Sequence, residues 1–256
     1  MAVDSWTLVF WRGALVALAL GIFLLWRGGW TAFRCNGAIG LAASVLSGVG
    51  TVFFVLAITH TKVANALVII GASPLFAALF SRLFLGEAVP GRTWAAIGCT
   101  LVGLTLTVSG SLESGHLLGD ACALITGAIS AAYFTLLRAR PRLDISPIVA
   151  GSGVAAALLA APLAAPLDTT PGDMALLAVL GLIVLPVSFS LIARAPRYIP
   201  AQEVGLIMRL ETVLGPLWVW LALGEEPPGP TLVGGGLILA TLTIHSLVGL
   251  RVSKAA

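Results

Sequence analysis

Nine apolar segments, each about as long as a membrane is thick, dominate this sequence. Crossing roughly 30 Å of hydrocarbon takes about 20 residues of helix, and only hydrogen-bond-closed structures can do so. We predict helices at 6–26, 37–59, 63–85, 93–110, 117–137, 146–167, 174–193, 201–223 and 231–250. With 59% hydrophobic and 10% charged residues, the chain is excluded from the water-soluble classes. The predicted fold is an all-α, polytopic transmembrane bundle.

The basic residues predict how the helices are oriented. One set of alternate connections and helix flanks holds nearly all of the Lys and Arg, whereas the opposite set holds only Lys62. The basic set is Arg27, Arg34, Arg82, Arg92, Arg138, Arg140, Arg142, Arg194, Arg197, Arg251 and Lys254. Because Lys and Arg stay in the cytoplasm, we expect a cytoplasmic C-terminus and, if the chain starts at Met1, an outer N-terminus.

An internal repeat divides the chain into two related parts. Residues 85–93 read LGEAVPGRT and residues 223–231 read LGEEPPGPT, an offset of 138 positions. The same offset aligns later helices with earlier ones but carries 117–137 to positions before Met1. We therefore expect a four-helix first repeat at 1–110, a five-helix second repeat at 111–250 and a cytoplasmic tail at 251–256. The two LGE corners differ in flanking charge, which predicts inverted topology, as in many secondary transporters.

Several motifs resemble the EamA-like branch of the drug/metabolite transporter superfamily. They are the paired repeats, LAITHTKVANA (56–66) leading through Ser73-Pro74 to LFLGE (83–87), and RLETVLGPLWVWLALGEEP (209–227). The resemblance implies a ten-helix carrier of amino acids, metabolites or drugs, with some members acting as exporters. Two departures are Thr212, where the family usually has Pro, and the absent first helix. We expect either a start codon assigned too far downstream or a truncated gene.

Ionisable residues inside the helices are the first candidates for a binding site, because a charge at the bilayer centre costs about 2.5–3.5 kcal/mol without compensation. Glu211 lies near the middle of its helix, where a counter-ion or proton carrier and a structural partner are both open interpretations. Arg12 is suited either to snorkelling or to binding a substrate carboxylate. Arg209 is two positions from Glu211, so the two cannot pair directly.

Uncharged candidates lie mainly in the helix equivalent to the one bearing Glu211. Asn65, Ser73 and Pro74 occupy it, and Pro74 frees a carbonyl at mid-membrane, for a transport site or a packing kink. Tyr133 is a candidate for lining a cavity. Gly86, Glu87, Gly224 and Glu225 form the repeated corner motif, where we expect capping and turn formation.

The sequence favours a secondary transporter that moves small organic solutes, with export by alternating access, in a bacterial inner membrane. The partners expected are a small-molecule substrate and the lipid bilayer, with no nucleic acid, and a homodimer is left open. No cofactor or metal is expected, since the three His and three Cys form no ligand motif and no GxxxxGK[ST] loop occurs. The alternatives are a degenerate, non-transporting membrane subunit and, less favoured, a membrane enzyme.

Overall fold

The computed structural model of this chain describes residues 4–26, 30–61, 66, 69–108, 117–208, 210, 211, 214, 221 and 229–255. Within these ranges the regular elements are all helical. They are α1 Ser5–Trp26, α2 Trp30–His60, α3 Ile69–Leu85, α4 Gly91–Val108, α5 Leu117–Ala139, α6 Ile145–Ala160, α7 Pro171–Arg197, α8 Ala201–Met208 and α9 Gly229–Ala255. The predicted all-α membrane fold is confirmed.

Four of these helices are long and apolar enough to cross a membrane: Ser5–Trp26, Asn36–His60, Leu117–Ala139 and Pro171–Arg197. Helices α3 and α6 are shorter but also apolar. The outward side of α7 carries large apolar side chains that are more than half exposed, namely Leu176, Ile183, Val187 and Leu191. A contiguous apolar surface of this kind is suited to lipid, so the chain is a multi-pass membrane protein.

Some helix boundaries differ from those predicted. Helix α6 ends at Ala160 rather than at 167, because Pro162 and Pro166 lack the N–H that would continue the helix. Helix α2 is kinked at Gly37 (φ 54°), so only Asn36–His60 forms the apolar span. Helix α9 runs to Ala255, and the segment 251–255, which we expected to form a separate tail, continues it.

The two halves meet where α1 crosses α6. A Cβ on Gly13 would lie 2.5 Å from the carbonyl oxygen of Gly153, and one on Gly153 would lie 2.6 Å from that of Gly13. Only glycine allows such close backbone approach. Near the start of α1, Thr7 Oγ1 accepts a hydrogen bond from the N–H of Ala165, just beyond the end of α6. The helices are therefore antiparallel, as inverted repeats require.

Polar contacts sort the connections onto two faces. On what we call the basic face, Arg138 bonds Glu87 and the carbonyl of Pro196, and Arg197 bonds the carbonyl of Leu143. These contacts bring the corner after α3, the end of α5 and the end of α7 together. On the opposite face, Thr61 Oγ1 donates to Asp120 Oδ1 at 2.9 Å, joining α2 to α5. The basic connections after α3, α5 and α7 thus share one side, as their charge pattern predicts.

Candidate functional site

Arg12 lies seven residues along α1, about 10 Å from its start at 1.5 Å per residue. Its guanidinium carbon is 6.0 Å from the centroid of the Phe54 ring on α2, a cation–π distance. Its Nε is buried and has no hydrogen-bond partner among the described residues. A buried donor without a partner raises the free energy of the folded state. A ligand that supplies an acceptor at this position would therefore bind more tightly, because it removes that cost.

Four helices contribute to the cleft around this guanidinium. Its lining includes Arg12 of α1, Thr51 of α2, Ser152 of α6 and Phe189 of α7. The Thr51 hydroxyl donates to the carbonyl of Ser47 at 3.1 Å and the Ser152 hydroxyl to that of Val149 at 2.8 Å. Because each hydroxyl uses its proton internally, its oxygen is left to accept. The cleft therefore combines a cationic donor, two hydroxyl acceptors and an aromatic wall.

The backbone of α7 is irregular beside this cleft. Residues Leu180–Val184 form a π-helical turn, directly followed by Leu185, which lines the cleft, and by Pro186. A Cβ on Gly181 would lie 2.5 Å from Cβ of Leu15, so this turn packs tightly on α1. Single π-helical turns occur often at functional sites, and here one flanks the candidate binding residue.

The structure places the other predicted candidates apart from Arg12. Glu211 is exposed, and no contact with Arg12 is formed. Tyr133 is only 8% exposed and packs in the largest apolar cluster of the described residues, with its ring centroid 5.7 Å from that of Phe134. Ser73 and Pro74 are buried in α3. Asn65 and Arg209 lie outside the described residues.

Pro74 marks a contact between the two halves. A Cβ on Gly205 of α8 would lie 3.1 Å from Cγ of Pro74, so α3 and α8 approach each other at this proline. On either side of it, the N–H of Ala72 donates to the carbonyl of Ile69, and the N–H of Leu75 donates to that of Ala72. These i to i−3 bonds replace the regular ladder, as expected where proline interrupts a helix.

At the corner after α3, both Gly86 and Glu87 bond the end of the helix, and Glu87 also contacts α5. Gly86 adopts a left-handed conformation (φ 67°), and its N–H bonds the carbonyl of Ser81. The Glu87 N–H bonds the same carbonyl at 3.2 Å, and the Glu87 carboxylate accepts a 3.0 Å hydrogen bond from Arg138 Nε. Glu87 therefore contributes to the helix cap through its backbone and joins the corner to α5 through its side chain. Gly224 and Glu225 lie outside the described residues.

A Glu–His pair was missed by the sequence reasoning. Glu203 Oε1 of α8 lies 3.6 Å from His245 Nε2 of α9. The repeat contained a signal for it, since the offset of 138 carries the candidate Asn65 onto Glu203. Phe54, Thr51 and Ser152 were also missed, because uncharged residues are common in any membrane helix and only their convergence on Arg12 distinguishes them.

A larger groove, of about 540 Å³, lies between α2 and α6. Its polar side chains are already engaged: Asn36 bonds the backbone of Asp144 through both amide atoms, and the Ser44 hydroxyl donates to Gly40. The rest of the lining is apolar or glycine. The Arg12 cleft has a free volume of only about 10 Å³, room for one water molecule, so a solute enters it only if its helices move apart. We nevertheless take it as the candidate site, because the groove offers no charged group to orient a solute.

Comparison with known proteins decides the family. The model of the EamA-like transporter family matches residues 2–109 and again residues 117–247. This chain belongs to the EamA-like transporter family. Membership accounts for the membrane-spanning helices and implies that a small-molecule substrate passes through the protein.

Individual relatives of this EamA-like chain carry transporter names. The pseudopaline exporter CntI of Pseudomonas aeruginosa is 27% identical over 237 residues, covering 91% of this chain and 82% of that protein. An uncharacterized transporter of Archaeoglobus fulgidus is 27% identical over 252 residues, covering 93% and 86%. One solved crystal structure superimposes with a TM-score of 0.84 at 19% identity, covering 98% of this chain and 90% of the other, which shows the shared fold.

Proposed function

We propose that this EamA-like transporter exports small amphipathic carboxylates of the amino-acid type across a bacterial inner membrane. The observation that carries the proposal is the buried Nε of Arg12, which has no acceptor among the described residues. A carboxylate is the complementary acceptor, because charge-assisted bonds to guanidinium are short and strong.

The remaining lining selects for more than a carboxylate. The oxygens of Thr51 and Ser152 can accept from an amino group, and Phe189 offers apolar surface, with Phe54 beside the Arg12 guanidinium. A substrate with a zwitterionic head group and an apolar side chain is an amino acid or a derivative of one. The exporter name of the Pseudomonas aeruginosa relative supports outward movement.

Alternating access follows from exchange between the halves, residues 1–110 and 111–250. The antiparallel crossing of α1 and α6 at Gly13 and Gly153 lies next to the cleft, whose lining includes both glycines. A site close to the crossing between two inverted repeats can be exposed to either side of the membrane as the halves exchange conformations. Cytoplasmic placement of the basic face completes this proposal.

Counterflow in proteoliposomes tests the proposal. We expect the wild type to exchange radiolabelled phenylalanine and to discriminate against phenylalaninamide, which lacks the carboxylate. Arg12→Gln should reduce exchange at least tenfold, since a hydrogen bond to a charged group contributes about 1.5–3 kcal/mol. Arg12→Lys should recover part of it, because lysine keeps the charge but not the planar fork.

Arg82→Gln is the matched control, because Arg82 is exposed at the end of α3, away from the cleft lining. It should exchange phenylalanine at the wild-type rate. Monodisperse elution of each variant would exclude misfolding. Equal exchange by Arg12→Gln and the wild type would contradict the role of Arg12. A wild type that transports neither phenylalanine nor other amino-acid carboxylates would contradict the proposed function.

A further inference from the structure

Glu203 and His245 form an ionisable contact between two membrane helices. Their Oε1 and Nε2 atoms are 3.6 Å apart, and the contact is an ion pair only when the imidazole is protonated. The His245 side chain is 9% exposed and that of Glu203 is 28% exposed. The second ring nitrogen of His245, Nδ1, is buried without a hydrogen-bond partner among the described residues.

The pair lies directly beside an apolar cluster. Leu206 of α8 and Leu242 of α9 belong to this cluster together with Ile97 of α4. Glu203 precedes Leu206 by three residues, about one helical turn closer to the start of α8. His245 follows Leu242 by three residues, about one turn closer to the end of α9. Both of these helix ends lie toward the basic face. The apolar cluster therefore separates this pair from the opposite face.

A third polar group occupies the same level on α4. Thr93 is fully buried, four residues from Ile97 in the same direction, and its Oγ1 has no hydrogen-bond partner among the described residues. Buried polar atoms without partners are rare in finished packing. Two such atoms, Thr93 Oγ1 on α4 and His245 Nδ1 on α9, lie at this level, which indicates a polar layer that can form further hydrogen bonds.

Other charged and titratable groups on the surrounding elements do not compete for this contact. Helix α8 packs on α3, α4, α5 and residues 195–197, whereas α9 packs chiefly on α4. The groups on these elements are Arg82, Arg92, Cys99, Asp120, Cys122, Tyr133, Arg138 and Arg197, with Glu211 beyond the end of α8. Arg251 and Lys254 lie further along α9, and their side chains are outside the described part of the structure. Among the described residues, none of these forms an ion pair with Glu203 or His245.

We propose that Glu203 and His245 bind the proton that couples transport to the proton gradient. This inference rests on the proposed function. With the pair closed, one proton sits on the imidazole and the carboxylate balances its charge. When α8 moves away from α9, His245 loses its counter-ion in apolar surroundings, so its N–H bond breaks and the proton passes to water at the basic face.

The packing explains why this contact would open during transport. Helix α8 contacts α3 at Pro74 and Gly205, whereas α9 packs on α4 through Gly103 and Ile238. The Glu203–His245 contact thus bridges the α3–α8 crossing and the α4–α9 crossing. Any relative movement of these two helix pairs changes the distance between the carboxylate and the imidazole.

Proteoliposomes loaded with the pH indicator pyranine test this site, with phenylalanine as the probe. In the wild type, a phenylalanine gradient should change the lumenal pH. We expect Glu203→Gln and His245→Gln to keep phenylalanine counterflow but to lose the pH change. His60→Gln is the matched control: His60 is exposed and its Nδ1 contacts Leu56 of its own helix, so both readouts should stay at the wild-type level.

Each outcome discriminates between the two proposals. Counterflow with an unchanged pH response in both variants would overturn the proton site and leave the proposed function intact. Absence of counterflow in the wild type would overturn both. If a single variant also loses counterflow, a double variant that exchanges the two residues, Glu203→His with His245→Glu, distinguishes a proton site from a structural role. Recovery of both readouts supports the proton site; recovery of counterflow alone, or of neither, overturns it.

Discussion

The Nε of Arg138 donates a hydrogen bond of 3.0 Å to Oε1 of Glu87, so the end of α5 is bound to the corner between α3 and α4. The same guanidinium donates from Nη1 to the carbonyl of Pro196, in the turn that ends α7. One arginine therefore joins connections from both sequence repeats on the basic face.

Removing either partner of this ion pair should lower the free energy of unfolding, and removing Arg138 should lower it more. Glu87→Gln should cost about 0.2–1 kcal/mol, because both side chains are roughly 70% shielded but still reach solvent. Arg138→Gln should cost more, because it also removes the hydrogen bond from Nη1 to the carbonyl of Pro196. Apparent melting temperatures of the purified protein in detergent measure both, with Arg82→Gln as the exposed control. A melting temperature equally low in that control would contradict the assignment.

The α1–α6 crossing should tolerate no side chain at its centre. Gly13→Ala places a Cβ 2.5 Å from a backbone oxygen, which must force the helices apart at a cost of about 1–3 kcal/mol. Gly21→Ala, on the same helix, meets nothing within 4 Å and should be neutral or slightly stabilising. Thermal unfolding of the two variants gives the comparison. Similar melting temperatures would argue against close packing at Gly13.

The corner after α3 contains a second matched pair of glycines. Gly86→Ala forces an L-residue into the left-handed region and should cost about 1–2 kcal/mol. Gly91→Ala lies five residues later, at the start of α4, where a Cβ meets nothing within 4 Å. Its melting temperature should match the wild type. An unchanged melting temperature for Gly86→Ala would show that the corner relaxes to another conformation.

The orientation of the protein can be read from two single cysteines in a cysteine-free background. Arg140→Cys lies in the exposed α5–α6 connection on the basic face, whereas Leu167→Cys replaces a side chain that is 97% exposed beyond α6. We expect a membrane-impermeant maleimide to label Leu167→Cys in intact cells and Arg140→Cys only after permeabilisation. The reverse pattern would invert the predicted topology.

Sequence reasoning was strongest where a physical rule acts over many residues. Hydrocarbon thickness determines helix length, so the helices of the described part of the chain were predictable from apolar runs alone. It was weaker at helix ends, as at Ala160, because two prolines overrode an apolar composition. It selected Arg12 by its charge, but Glu211, selected on the same ground, proved exposed, since depth along a helix does not reveal which side faces its neighbours.

The sequence by itself determined the membrane fold, the inverted repeat and the separation of basic connections onto one side, because these depend on composition, length and periodicity along the chain. Only the tertiary structure decided that Arg12 meets Phe54, that Arg138 joins Glu87 to Pro196, and that Glu203 faces His245. Those contacts depend on the rotation and crossing of helices, which small residues such as Gly13 and Gly153 allow. Their partners are distant along the chain, so no local pattern encodes them.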